Sequence, residues 1–468
     1  MYLSRILRLS IFLYGLLHFV TFFMDSELLA RLQAFSGLLI LLFAGINLTL
    51  KQFKLPLFLF LTGLITITLA SDSFFENLQD GLLQMSSIIG LLIVVPMIGW
   101  VLREKPYIEE IIGLAHRMLD TSRKFYSGTI IFTHIISYFL LFGAIPLMYR
   151  FVDDILKNQR GEAWENFKGT ALLRAFALST LWVISIPSFT FAVEALNASL
   201  WVTILQGFVV TVCAIAVAVI FSYFDEKRYG VDLTSEIKTE INKIVSHSSN
   251  RKQQIRHSLE FVFLFITLFG SIFLLYELLS IPLMVLIPLV IIVWTSIYFT
   301  IKKSPAKLFR QTADYYREGL ISQGYQFSIM LAAGVMILGI NQTGLGADFI
   351  EMIYNLQEII PFFNMLYFLP FIVIILGFMA LGPLTVMVLV AGILESISLP
   401  YPPELVVLSI TSGSAISILI SPLIMPVIIL SGTNGLSGYK NGIKFNLKYA
   451  IALYVMVQLY VQFVVYNL

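Results

Sequence analysis

Apolar runs close to the roughly 20 residues that a helix needs to cross a bilayer recur along the whole chain. They fall at 6–24, 32–50, 55–70, 82–102, 129–148, 171–196, 200–224, 261–279, 282–301, 327–340 and 447–465, with a longer apolar region at 362–431. The pattern predicts an all-α, polytopic helical membrane protein of about 11–13 spans. Two runs are interrupted from within. Thr411, Ser412, Gly413, Ser414 and Ser417 sit between stretches of Leu, Ile and Val, with Pro422 and Pro426 just beyond, and Ser185, Pro187, Ser188 and Thr190 interrupt the 171–196 run. Backbone groups inside lipid must be satisfied within the protein, so such breaks persist only where protein or a water-filled cavity surrounds them. Discontinuous helices of this kind build the sites of many secondary transporters, which makes both interrupted runs candidate binding regions.

Composition agrees with the pattern: 58% of residues are hydrophobic and 12% are charged, against about 25% charged in soluble domains. A net charge of +2, with the basic residues spread over connections, argues against a nucleic-acid partner. Cys213 is the single cysteine, so neither a disulfide framework nor a thiolate metal site is available. The first apolar run follows Arg5 and Arg8 in the manner of a signal peptide, but Asp25, Ser26 and Glu27 stand where a small-residue cleavage site belongs, so it is read as a span.

Lys51, Lys54, Arg103, Lys105, Arg117, Arg123 and Lys124, and seven Lys or Arg between Lys227 and Arg256, mark one side as cytoplasmic. The acidic connections 71–81 and 345–359 carry no Lys or Arg and belong outside. With both 103–128 and 225–257 inside, the three apolar runs between them must include one that enters and leaves by the same face. The interrupted run 171–196 is the expected re-entrant element, which orients the two halves of the chain in parallel.

Those halves look like copies of one unit. Arg103-Glu104-Lys105-Pro106 and Lys302-Lys303-Ser304-Pro305 each precede an amphipathic stretch and a new span. Each path then reaches a broken region, Pro187-Ser188-Phe189-Thr190 in one half and Gly382-Pro383-Leu384-Thr385 in the other. The expected organisation is an N-terminal three-span extension at 1–81, a first repeat at 82–279 and a second at 280–468.

Two halves, each with a Ser-, Thr-, Gly- and Pro-containing break at 179–190 or 411–426, resemble the ion-transporter superfamily of dicarboxylate, citrate, gluconate and arsenite carriers. The resemblance covers roughly 82–465 and is architectural. The Ser-Asn-Thr signature of the dicarboxylate branch is absent, Ser431-Gly432-Thr433-Asn434 being a loose echo. It implies inverted halves, where the charge count gives parallel ones, and places an anionic solute and a coupling ion, Na⁺ or H⁺, at the broken segments.

A helix broken at Gly413 would offer free N–H groups to an anion, and the hydroxyls of Ser412, Ser414 and Ser417 could hold Na⁺ or solute. Thr411, Ser185, Ser188, Thr190, Gly382 and Thr385 complete the candidate set. Arg174, near the start of its run, is read as snorkelling to the outer interface or as an anion contact. Glu194 is an interfacial carboxylate or a cation ligand, and His134 is a hydrogen-bonded core histidine or a titrating one.

The expected protein is thus a multi-pass cell-membrane permease for a small anionic solute, working in lipid with no metal or organic cofactor, as a single chain or a homo-oligomer. Two other readings fit the composition. One is an enzyme acting on lipid-linked sugars, with Asp25 and Glu27 outside; the other is a membrane subunit that docks a larger complex through 225–257.

Overall fold

The computed structural model describes residues 2–70, 73–107, 110–111, 114, 121–156, 159–230, 232–245, 251–348, 351–352, 355 and 364–467. Among these residues there is no strand, and eleven helices are long and apolar enough to cross a membrane. Arg117, most of the amphipathic stretch around it, residues 246–250 of the central polar segment and much of the 345–359 connection lie outside the described residues. The chain divides into two compact units, one formed by 1–101, 271–365 and 388–398, the other by 102–270, 366–387 and 399–468.

The first unit is assembled by close helix approach. Between helices in lipid there is no hydrophobic driving force, so packing needs small residues and satisfied polar groups. Helix Gly324–Thr343 lies against Leu50–Ala70 and Phe74–Leu83. A Cβ at Gly63 would come within 2.7 Å of the Met336 nitrogen, and one at Gly334 within 2.5 Å of the Gly81 carbonyl oxygen. Polar bonds add to this: Gln342 Nε2 donates to Asn77 Oδ1 at 2.6 Å, and Tyr14 Oη, on helix Tyr2–Phe23, donates to the Leu82 carbonyl at 2.6 Å.

The second unit carries a repeat of five helices. In the first copy a lead helix (Ser122–Leu140), a return helix (Ala144–Ile155), a core helix (Glu162–Ser179), a short tip helix (Pro187–Ala195) and a long closing helix (Leu200–Tyr229) follow one another. The second copy runs Met365–Phe378, Pro383–Leu394, Pro403–Ile420, Met425–Asn434 and Phe445–Tyr466, its return helix continuing into residues of the first unit. Both junctions between lead and return helices turn on a non-glycine residue with positive φ, Leu141 at 47° and Ala380 at 67°.

Contacts along the helices give their directions. In the first copy, Tyr126 meets Thr170, His134 meets Ala175 and Ser185 meets Tyr138, so lead and core helices run the same way. Closing-helix residues Thr211 and Ala218 meet Leu178 and Arg174, and Tyr229 meets Asn166, so the closing helix runs back. In the second copy Gly413 packs on Pro370 and Ser421 bonds Gly377, again parallel, while Gln458 and Tyr454 of the closing helix reach Leu366 and Tyr367. Glu162, at the start of the first core helix, pairs with Lys440 and Lys444, beyond the end of the second. Glu404, at the start of the second, accepts from the Ser199 N–H beyond the end of the first. The two core helices are antiparallel, and the copies are inverted.

This corrects the sequence expectation at two points. The piece that starts and finishes at one end of the unit is the 122–155 hairpin, reversed at Leu141–Gly143, and not the 171–196 run. The latter is one discontinuous crossing made of core and tip helices. The parity requirement is met by the hairpin, and the halves are inverted instead of parallel. Pro187, moreover, opens a tip helix and corresponds to Pro426, whereas Pro383 opens a return helix. Arg123, Lys124, Arg160, Lys227, Arg228, Lys440 and Lys444 all gather at the end where Glu162 lies, called here the basic end.

Single cysteines at Arg160 and Ala198, introduced with Cys213→Ser, are expected to react with an impermeant maleimide from opposite sides of sealed membranes. Labelling of both from the same side would restore the re-entrant reading of 171–196.

Candidate functional site

The two core helices form the middle of the second unit. Every residue from Trp164 to Ser179 is buried, as is every residue from Leu405 to Ile420. Each helix stops short and resumes after an unwound stretch, residues 180–186 in one and 421–424 in the other. The chemistry of the sequence explains both stops: Pro187 and Pro426 lie at the first turns of the tip helices, where a missing N–H costs nothing, and Pro422 lies in the second gap.

Each gap is held by a serine at an equivalent place. Ser185 Oγ donates to the Tyr138 carbonyl at 2.6 Å, and Ser421 Oγ donates to the Gly377 carbonyl at 3.0 Å. Tyr138 lies three residues before the positive-φ Leu141, and Gly377 three before the positive-φ Ala380. In both copies the unwound strand of the core helix is thereby moored to the tip of its own hairpin. Thr190 Oγ1 adds a 2.7 Å bond to the Ile184 carbonyl, and Ser188 is buried beside it in the tip helix.

The hydroxyl cluster expected to mark a break does not. Thr411, Ser412, Gly413, Ser414 and Ser417 lie inside the continuous core helix Pro403–Ile420, because serine and threonine hydroxyls in a helix bond back to the preceding turn without disturbing it. Thr411 Oγ1 donates to the Leu408 carbonyl and Ser412 Oγ to that of Ser409. Gly413 serves packing: a Cβ there would sit 2.7 Å from the Pro370 Cα. The Oγ atoms of Ser414 and Ser417, and of Ser409 a turn earlier, are buried without a hydrogen-bond partner. Gly382 and Thr385 belong to the turn and first residues of the return helix, away from the core-helix gap they were matched with.

Arg174 does not snorkel. It is fully buried in the first core helix, a turn and a half before the gap. Its Nε donates to Asn446 Oδ1 at 3.1 Å, Nη1 to Tyr126 Oη at 2.9 Å and to the Ala218 carbonyl at 3.4 Å, and Nη2 to the Phe445 carbonyl at 3.4 Å. The guanidinium carbon stands 4.4 Å from the Tyr449 ring centre. Tyr126 Oη passes the chain on to Thr170 Oγ1 at 3.0 Å. Lead, core and closing helices of one copy and the closing helix of the other thus converge on one cation, and all of its direct partners are neutral. His134 is settled as a core histidine: Nδ1 lies 3.0 Å from the Ala175 carbonyl and Nε2 accepts from Trp182 Nε1 at 3.2 Å.

Toward the basic end lies a charged chamber that the sequence reading missed. A cavity of about 350 Å³ is lined by Tyr149, Asp153, Arg160, Glu162, Glu165, Asn434 and Lys440, among others. Lys168 is fully buried against it, 2.8 Å from Asp153 and 2.5 Å from Glu165, with Tyr149 Oη donating to Glu165 at 2.8 Å. These residues were placed in a connection because the apolar run begins only at Ala171. The available signal was charge: Arg150, Lys157 and Arg160 lie close before it, contrary to an outer loop. A π-turn at Lys440–Lys444 aims two lysines at Glu162, at 2.6 and 2.7 Å. Hydrogen bonds from Lys440 and Lys444 hold the Glu162 carboxyl well below its ordinary value of 4.5, at about 2.

No metal-holding group of three or more His, Cys, Asp or Glu occurs among the described residues. No known protein-family model matches the chain, and no curated protein matches it either.

Two outcomes follow. Arg174→Met leaves Tyr126 and Asn446 without their buried partner, at about 1–3 kcal/mol per orphaned group, so its unfolding midpoint in detergent should fall clearly below that of Arg174→Lys; equal midpoints would remove Arg174 from the framework. Because the Glu162 carboxyl is depressed in the folded state, its stabilisation is present above the ordinary value and is lost as pH falls through about 2. The midpoint advantage of wild type over Glu162→Gln should therefore shrink from about pH 5 downward; a constant difference would show that the lysine clamp contributes nothing.

Proposed function

We propose that the protein is a secondary carrier that moves a small anionic solute across the cell membrane by alternating access, with the basic end of the second unit in the cytoplasm. The observation that carries this reading is the inversion of two five-helix copies whose discontinuous core helices are moored by Ser185 and Ser421 at equivalent places. Inverted copies can exchange conformations, so that a site between them faces one side and then the other, and discontinuous helices supply polar backbone at that depth without exposing it to lipid. Arg174 supplies the sign of the cargo. A buried guanidinium with neutral partners is a costly arrangement that a solute anion relieves, and the charged chamber at Lys168 lies on the same core helix toward the basic end.

Coupling to H⁺ or Na⁺ fits the same frame, with the unpartnered hydroxyls of Ser409, Ser414 and Ser417 as oxygen donors for a cation. The purified protein should be stabilised against heat by at least one of succinate, malonate, phosphate or sulfate, and Arg174→Lys should weaken that effect about tenfold or more, since the bidentate fork is lost. Stabilisation by a polyprenyl-linked sugar and by none of the four anions would overturn the carrier reading in favour of an enzyme.

A further inference from the structure

The corner between Arg174 and the basic end contains several carboxylates, and four of them have fixed partners. Glu226 accepts from Ser122 Oγ at 2.9 Å and from the Leu233 N–H at 3.1 Å. Glu162 is clamped by Lys440 and Lys444, and Asp153 and Glu165 are held by Lys168. Asp225 differs. It sits half-buried near the end of the first closing helix, just past the apolar run 200–224, and no described residue makes an ion pair or hydrogen bond to its carboxylate. Arg174 on the core helix, Lys448 on the second closing helix and Arg228 on its own helix act on it only through space. Tyr126 of the lead helix, Tyr229 and Glu226 are its other titratable neighbours.

Beside Asp225 lies a small cavity of about 10 Å³, lined by Asn166, Thr170, Ser222 and Tyr229 among others, about the size that one water needs. Thr170 connects to Arg174 through Tyr126. The buried cation is therefore saturated by neutral groups on one side and faces a carboxylate that does not touch it on the other. The same helix brings the Ala218 carbonyl to Arg174, so a carboxylate without a fixed partner stands two turns further along the element that meets the buried cation.

We propose that Asp225 carries the coupled proton of this carrier: its carboxylate offsets the Arg174 charge while the site is empty, and takes up a proton when a solute anion assumes that role. This rests on the reading of the protein as an anion carrier. The step balances: one anion enters and one proton adds to an Asp225 oxygen, so the net charge of the corner is unchanged for a monoanion and falls by one for a dianion. Anion and proton then favour one another's binding by the same factor, as linkage requires.

The test uses the full chain purified in detergent, titrated with succinate, malonate, phosphate and sulfate between about pH 5 and about pH 8, with the unfolding midpoint as readout. Wild-type apparent affinity for the effective anion should rise as pH falls, by up to about a decade per pH unit for one linked proton. Asp225→Asn should bind that anion tightly with a flat pH profile, and Asp225→Glu should keep a pH dependence. If Asp225→Asn keeps the wild-type slope, the proton is carried elsewhere and the inference is overturned, though the carrier reading stands. If neither wild type nor Asp225→Asn binds any of the four anions at any pH, the anion reading fails and the inference with it. A measurement free of variants guards against misfolding: addition of the effective anion to wild-type protein in weak buffer should draw about one proton per anion bound, and uptake of none would refute the assignment.

Discussion

A polypeptide inside a bilayer has to satisfy its own backbone, and the second unit is organised around two places where it stops being a helix and still does so. At each gap one serine hydroxyl moors the unwound strand to a carbonyl at the tip of a hairpin, and the first gap is almost wholly buried while Leu423 leaves the second partly exposed. A glycine of the following segment lets a second helix press against the same strand. A Cβ at Gly207 would stand 2.2 Å from the Leu181 carbonyl oxygen, and one at Gly438 3.0 Å from that of Pro422. The gaps are thus rigidly supported yet polar, a combination that uninterrupted transmembrane helices do not offer.

Inversion turns these two gaps into a pair. Because the core helices run in opposite directions, the first begins where the second ends, and groups far apart in sequence meet: Glu162 with Lys440 and Lys444, Arg174 with Asn446 and the Phe445 carbonyl. Arg174 is the strongest of these links. Its cost as a buried charge is met by four neutral acceptors and aromatic faces and by the field of Asp225, so the copies are joined through a cation without being locked by a buried ion pair.

The first unit uses a different economy of contacts. Its helices approach through glycines at crossings and through isolated amide and hydroxyl bonds such as Gln342 to Asn77. Such contacts suit fixed packing, and none of them gathers charge. The ionisable groups of the second unit, in contrast, form a line from the basic end inward: Glu162, Lys168, Asp225 and Arg174.

Hydropathy by itself determined that this is an all-α membrane protein with many crossings, since the length of an apolar run and its lack of charge are local properties. Proline positions likewise marked where two helices would be interrupted, and the parity of basic connections required one piece to return to its starting side. Which piece returns was decided by tertiary structure, because Leu141 and Ala380 reverse the chain in conformations that no residue type there announces. The same holds for the polar residues. Thr411–Ser417 look like a break in the sequence but are helical, and which hydroxyls bond back to the preceding turn, as those of Thr411 and Ser412 do, leaves no trace in composition. Arg174 reads from the sequence as snorkelling to the outer interface or as an anion contact, and only the inverted packing, by bringing residues some 270 positions apart into hydrogen-bond distance, shows it to be a buried charge of the site.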